Sequence, residues 1–188
     1  MNIVLCTINP SIELAWREAL VGFPALQPFC EILTGNITNI EVDAVVSPAN
    51  SFGFMDGGID LHYSTVFGWH VQERLQAFIK TMAVQELPVG EAVAVETGHG
   101  RIRCVIAAPT MRTPCVLRDV QPVYLAARAA AVVASRSGIK TLAFPGMGMG
   151  TGRLPFGAAA KAMLEGIHDG LFPKPFPKSL RDVMEGVT

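Results

Sequence analysis

The chain has 188 residues, 50% of them from the hydrophobic set and only 16% Asp, Glu, Lys or Arg, against about 25% in an average soluble domain. This composition excludes an intrinsically disordered segment or a coiled coil. Fifteen basic against sixteen acidic residues give a formal net charge of -1 with no Lys/Arg run, which argues against duplex nucleic acid as a partner gripped mainly through phosphate charge. The length fits a single domain over residues 1–188, able to bury roughly 70% of the surface its unfolded chain exposes.

In chain order, Asn2–Ile8 is an apolar run closed by Asn9 and Pro10. An N-cap residue followed by the residue favoured at the first helical position predicts a strand handing over to a helix. Ile12, Ala15, Trp16 and Ala19 then recur at helical spacing up to Gly22, a plausible stop. Phe29–Leu33 predicts a strand ending at Thr34-Gly35-Asn36, and Asp43–Ser47 a strand of the kind buried on both faces of a sheet. Pro48 to Gly58 is too glycine-rich for a regular element. Val71, Leu75, Phe78 and Met82 form the apolar stripe of a helix ended by the Leu87–Gly90 turn. Ala92–Glu96 and Arg101–Ala107 predict a hairpin around Gly98-His99-Gly100. A polar stretch with Arg112 and Arg118 leads to an alanine-rich helix from Pro122 to Ser137. Thr141–Phe144 is a short strand running into a second glycine-rich loop, Pro145 to Gly152. A helix with Ala160, Met163, Leu164 and Ile167 on one face follows, then a prolyl-rich tail and a short final helix.

Cys6, Cys30, Cys104 and Cys115 stand far apart without a C-x-x-C pair and read as buried free thiols of a reducing compartment. Residues 1–6 lack the basic and long apolar segments of a secretory signal, and Arg128 and Arg136 interrupt the most apolar helix. A soluble cytoplasmic protein with no membrane partner is expected. His62, His70, His99 and His168 share no metal-ligand spacing with one another or with the cysteines, so neither a metal nor a cofactor is expected.

Strands alternating with helices predict an α/β fold with a largely parallel sheet covered on both faces, and such sheets bind ligands beyond the carboxyl ends of their strands. Both glycine-rich loops follow a strand and precede a helical pattern. Their backbone N–H groups can converge on an anion, aided by the helix dipoles and without a lysine; as tight connections they would need no ligand. There is no G-x-x-x-x-G-K-[ST] and no G-x-G-x-x-G, which removes P-loop and dinucleotide-fold chemistry. Ala49-Asn50-Ser51-Phe52-Gly53 is a loose nucleophile elbow, with His99 or His168 as the later histidines available to a Ser51 hydrolase.

Gly35-Asn36-Ile37-Thr38, Asp43-Ala44-Val45-Val46-Ser47-Pro48-Ala49-Asn50-Ser51 and Gly57-Gly58-Ile59-Asp60 resemble, in order and spacing, the G-D-I-T, D-A-I-V-N-A-A-N and G-G-G-V-D segments of the macro domain family. Phe144 to Pro155 resembles its second phosphate loop, and the likeness covers about residues 30–170. The resemblance implies a three-layer α/β/α fold that binds ADP-ribose, free or on an ADP-ribosylated macromolecule. It implies ligand contacts from Asn36 and Ile37, a diphosphate held by Gly57, Gly58 and Ile59 on one side and by Gly148, Gly150, Thr151 and Gly152 on the other, and a distal ribose facing Asn50 and Asp60. In family members that hydrolyse mono-ADP-ribosyl esters, the Asn and Asp at these two positions orient the ribose and the attacking water. An amide can hold two hydroxyls as donor and acceptor, and a carboxylate can orient water. Read without a ligand, Asp60 is a helix N-terminal carboxylate and Asn50 a turn residue bonding its own backbone.

The departures are Asn36 for the aspartate that accepts from the adenine amino group, Ser47 and Pro48 for Asn and Ala, Met149 for Thr or Ser, and Arg153 for glycine. Arg153 either reaches the diphosphate or caps its loop, and Phe172 or Phe176 either covers the adenine or pins the tail. No strand is visible after Leu171. The functional alternatives are an ADP-ribosyl or O-acetyl-ADP-ribose hydrolase, a binding module without turnover, and, most distantly, the Ser51 hydrolase.

Overall fold

A computed structural model describes residues 1–184. Six strands form one sheet: β1 (Asn2–Thr7), β2 (Cys30–Thr34), β3 (Ala44–Ser47), β4 (Val93–Glu96), β5 (Cys104–Ala107) and β6 (Thr141–Phe144), in the order β2-β1-β6-β3-β5-β4. All neighbouring pairs are parallel except β4 with β5, the predicted hairpin, whose second strand starts only at Cys104. Helices α1 (Pro10–Leu20), α4 (Gln121–Arg136) and α5 (Phe156–Leu171) cover one face, and α2 (Gly58–Phe67) and α3 (His70–Thr81) the other. This is the expected three-layer arrangement.

The local signals explain the elements. Asn9 caps α1, its side chain accepting from the Ser11 N–H at 2.9 Å, with Pro10 in the first turn. In α3 the buried stripe is Val71, Leu75 and Ile79, whereas the expected Phe78 is 44% exposed. Phe78 and Ile79 are consecutive, about 100° apart on a helix, and the narrow stripe facing the sheet takes only one of them. The alanines of α4 form a smooth face, with Ala126, Ala127, Ala130, Ala131 and Ala134 all buried. That face admits α5 so closely that a Cβ on Gly166 would lie 2.3 Å from the Tyr124 carbonyl oxygen.

The sheet order positions the site. β3 and β6 are parallel neighbours with Val45 opposite Ala143, so the loops that leave their carboxyl ends emerge side by side. Asp43 fixes this register: its Oδ2 accepts from the Lys140 and Thr141 N–H groups at 2.8 and 3.1 Å, and its Oδ1 from Arg103 at 3.0 Å. Against the desolvation of its partial burial, these donors and the Arg103 charge hold the carboxyl below its usual range.

Cys6, Cys30 and Cys104 lie on strands, as expected, and all four thiols are free. Only Cys6 is fully buried; Cys115 is exposed, because it lies in the irregular stretch between β5 and α4 and not in the sheet. Burial pushes the Cys30 thiol up to about 12. The tail leads to α6 (Leu180–Met184), and no strand follows α5 among the described residues. No helix there is long and apolar enough to cross a membrane.

Candidate functional site

Every parallel strand releases its carboxyl end on one side of the sheet, and two adjoining cavities lie there. The first, of about 270 Å³, is lined by Asn50, Gly57, Gly58, Ile59 and Asp60 from one side and by Gly148, Gly150, Thr151 and Gly152 from the other. The second, of about 520 Å³, is lined by Asn36, Ile37 and His62 together with apolar side chains of α1 and α5. Gly58, Ile59, Gly146 and Gly150 belong to both. Of the residues expected to hold ADP-ribose, Asn36, Ile37, Asn50, Gly57, Gly58, Ile59, Asp60, Gly148, Gly150, Thr151 and Gly152 line one cavity or the other, and Arg153 does not. Arg153 lines neither cavity; it is exposed at φ +53°, and its N–H donates to the Gly150 carbonyl, closing the turn.

The glycines divide by role. Gly57 caps α2 without a side-chain hydrogen bond, leaving first-turn N–H groups for an anion or water. Among the described residues the N–H groups of Gly58, Ile59, Gly150, Thr151 and Gly152 donate to no protein acceptor. A Cβ on Gly57 or Gly150 would meet nothing within 4 Å, whereas one on Gly148, at φ +71°, would meet Val123 at 2.5 Å, and one on Gly152 would meet the Gly148 carbonyl at 2.6 Å. Gly148 and Gly152 thus build the loop, and Gly57 and Gly150 leave its mouth open.

Asp60 sits in the first turn of α2 and is only 7% exposed, although it lines the first cavity. Burial pushes its carboxyl up to about 6; the Ser47 hydroxyl, donating at 2.6 Å, restrains the rise, and the Asp56 charge adds to it. Ser47, on the last residue of β3, was visible in the sequence only as a departure from the family pattern. Its contact with a residue thirteen positions later depends on the packing of α2 against the sheet.

Asn50 borders the cavity, but its amide also holds the loop in shape. Its oxygen accepts from the Phe52 and Phe54 N–H groups at 3.1 and 3.3 Å, and its nitrogen donates to the Phe54 carbonyl at 2.8 Å. One Nδ2 hydrogen remains for a ligand. A third wall, with Thr110, Met111 and Pro114, went unassigned in the sequence. The Ser51 N–H donates to the Arg112 carbonyl at 3.1 Å, and Arg112, outside the cavity, grips Glu86 with two bonds of 2.8 and 2.6 Å while lying 5.0 Å over the Phe52 ring. Arg118 lines neither cavity.

At the second cavity the Asn36 oxygen accepts from the Thr38 N–H at 3.0 Å and the Thr38 hydroxyl at 2.8 Å, and lies 2.9 Å from His62 Nε2. Phe156, at the start of α5, supplies the aromatic wall. The tail aromatics do not: Phe172 packs on His168, and Phe176 is 93% exposed. Ser51 is buried and lines neither cavity, while His99 packs on Phe67 and His168 bonds Asp169. No group of three residues able to hold a metal occurs among the described residues.

Residues 46–163 match the model of the Macro domain family. An uncharacterised protein of Aquifex aeolicus is 35% identical over 73% of this chain and 80% of its own length. An O-acetyl-ADP-ribose deacetylase of an Enterobacter species is 31% identical over 81% of this chain and 84% of its own. Among solved structures, the macrodomain of Oceanobacillus iheyensis with ADP superposes with a TM-score of 0.62 at 20% identity, covering 71% of each chain. The macrodomain of Mycobacterium tuberculosis DarG superposes with a TM-score of 0.60, also at 20% identity, covering 72% of this chain and 87% of that one. Taken with the glycine-lined cleft at the ends of β3 and β6, these matches show that the chain belongs to the macro domain family.

Proposed function

We propose that the cleft binds ADP-ribose or a close derivative and that the protein hydrolyses ester linkages to its distal ribose, as in mono-ADP-ribosylated macromolecules or O-acetyl-ADP-ribose. The diphosphate lies between the N–H groups of the two glycine-rich loops, and the distal ribose lies beside Asp60 and the remaining Asn50 N–H. The name of the Enterobacter relative and the ADP in the Oceanobacillus structure support the ligand class.

The observation that carries the reading is the place of the Asp60 carboxyl, nearly buried yet in the wall of the cavity, where burial pushes it up to about 6. A general base works best with a pKa close to the working pH. Ionised above that value, Asp60 takes a proton from a water whose oxygen attacks the ester carbon, then returns it to the ribose oxygen as that bond breaks. Free acid and ADP-ribose are released. Ser47 holds the carboxylate in place during the proton transfer, a positioning role.

Binding without turnover is favoured by one observation, the engagement of the Asn50 amide within its own loop. Turnover of a mono-ADP-ribosylated protein, measured beside calorimetry with ADP-ribose, separates the readings. Hydrolysis by wild type, falling by at least about a hundredfold in Asp60→Ala with binding kept, is expected of the enzyme. Binding by both and turnover by neither identifies a reader module.

A further inference from the structure

The second cavity has apolar walls from Ile12, Ile37, Met149 and Phe156, with polar side chains at Asn36 and His62 and at Thr7 and Asn9. It opens onto the phosphate loops through Gly58, Ile59, Gly146 and Gly150, which it shares with the first cavity. A flat group with apolar faces and hydrogen-bonding atoms on its rim fits this shape. Given the ligand placement proposed above, on which this inference rests, that group is the ligand's purine base.

The hydrogen bonds around Asn36 settle which way its amide faces. The Thr38 backbone N–H is an obligate donor, and it points at Asn36 Oδ1 from 3.0 Å, so the oxygen, not the nitrogen, occupies that side. The Thr38 hydroxyl lies 2.8 Å from the same oxygen, and His62 Nε2 lies 2.9 Å from it and 3.0 Å from the hydroxyl. The Thr38 N–H and hydroxyl together take the two lone pairs of the oxygen and leave none for a ligand. The Asn36 Nδ2 group has no protein partner among the described residues, so what Asn36 offers the cavity is donors alone.

We propose that Asn36 makes the second cavity a donor edge that selects a 6-oxopurine over adenine. Along the N7 edge, the one that would face Asn36, a 6-oxopurine presents two adjacent acceptors, O6 and N7, whereas adenine presents N7 beside the N6 amino group, itself a donor. Adenine can still accept one bond, but its amino group then lies alongside Nδ2 with nothing to accept it. Binding of the adenine compound is weakened without being abolished.

The test is calorimetry of the full chain with ADP-ribose and with its hypoxanthine counterpart, on wild type and on Asn36→Asp. The variant is nearly isosteric and keeps one oxygen for Thr38 and His62 while turning the second into an acceptor. Wild type is expected to bind the hypoxanthine compound about tenfold more tightly, the value of one net hydrogen bond, and Asn36→Asp to reverse the preference. Should Asn36→Asp fail to fold, the wild-type ratio decides alone. Equal affinities, or tighter binding of ADP-ribose by wild type, overturn the donor-edge inference and leave the cleft assignment standing. Absence of heat with both compounds overturns the cleft assignment and this inference together.

Discussion

Replacing Asp60 by Asn is expected to make the protein more stable at neutral pH and no more stable in acid. The carboxyl is 7% exposed and its pKa is raised from 3.8 to about 6. The sign follows from linkage: well below pH 3.8 the group is protonated in both the folded and the unfolded chain, and its burial carries no charge penalty. As the pH rises through the interval from 3.8 to about 6, the unfolded chain ionises first and stability falls. Above that interval the folded chain holds a charge that its surroundings disfavour. A rise from 3.8 to about 6 corresponds to roughly 3 kcal/mol, or on the order of 5–10 °C in Tm for a domain of this size. An asparagine fills the same space and can still accept from Ser47, so it removes the charge and little else. Urea unfolding of wild type and Asp60→Asn at matched ionic strength from pH 4 to 8 gives the comparison. The gap should open between pH 4 and 6 and stay constant above about 7. A gap independent of pH, or a variant less stable than wild type at pH 8, would refute the assignment of Asp60 as a desolvated carboxylate kept for function.

Removing the Ser47 donor with Ser47→Ala leaves Asp60 with burial and the Asp56 charge acting on it. The acidic limb of the pH–rate profile should move upward by about one pH unit, measured as kcat/KM against pH, and an unmoved limb would detach Ser47 from the site. Gly150→Ala places a methyl in open space at the cleft mouth; unfolding stability should change by less than about 0.5 kcal/mol, while affinity for ADP-ribose falls at least about tenfold in calorimetry. Gly148→Ala should do the opposite kind of damage. Its Cβ would meet Val123 at 2.5 Å at a φ of +71°, so urea titration should show a loss of about 2–4 kcal/mol.

Much of the fold was legible because its signals are local. The Asn9-Pro10 start of α1, the short, largely apolar runs of β3 and β6, and the glycine clusters that follow them all sit within a few residues of the feature they announce. The position of the site followed from topology, since a parallel sheet puts the loops after β3 and β6 at one edge. The unread parts depend on residues distant in the chain. Ser47 meets Asp60 across thirteen positions, and Asn36 meets His62 across twenty-six; no periodicity encodes either contact. The glycines were equally ambiguous, because Gly148 and Gly150 look alike in sequence, and only the presence of Val123 beside the first separates a packing glycine from one that leaves room for a ligand. Asn50 shows both of its readings at once, since a side chain at the cavity wall also bonds its own loop.

The most direct test of the central claim is a crystal structure of the protein with ADP-ribose. The account expects the diphosphate between Gly57–Ile59 and Gly148–Gly152, the base in the cavity walled by Phe156, and a distal ribose hydroxyl or its water within hydrogen-bond reach of the Asp60 carboxyl. A ligand bound elsewhere, or one whose distal ribose points away from Asp60, would contradict it.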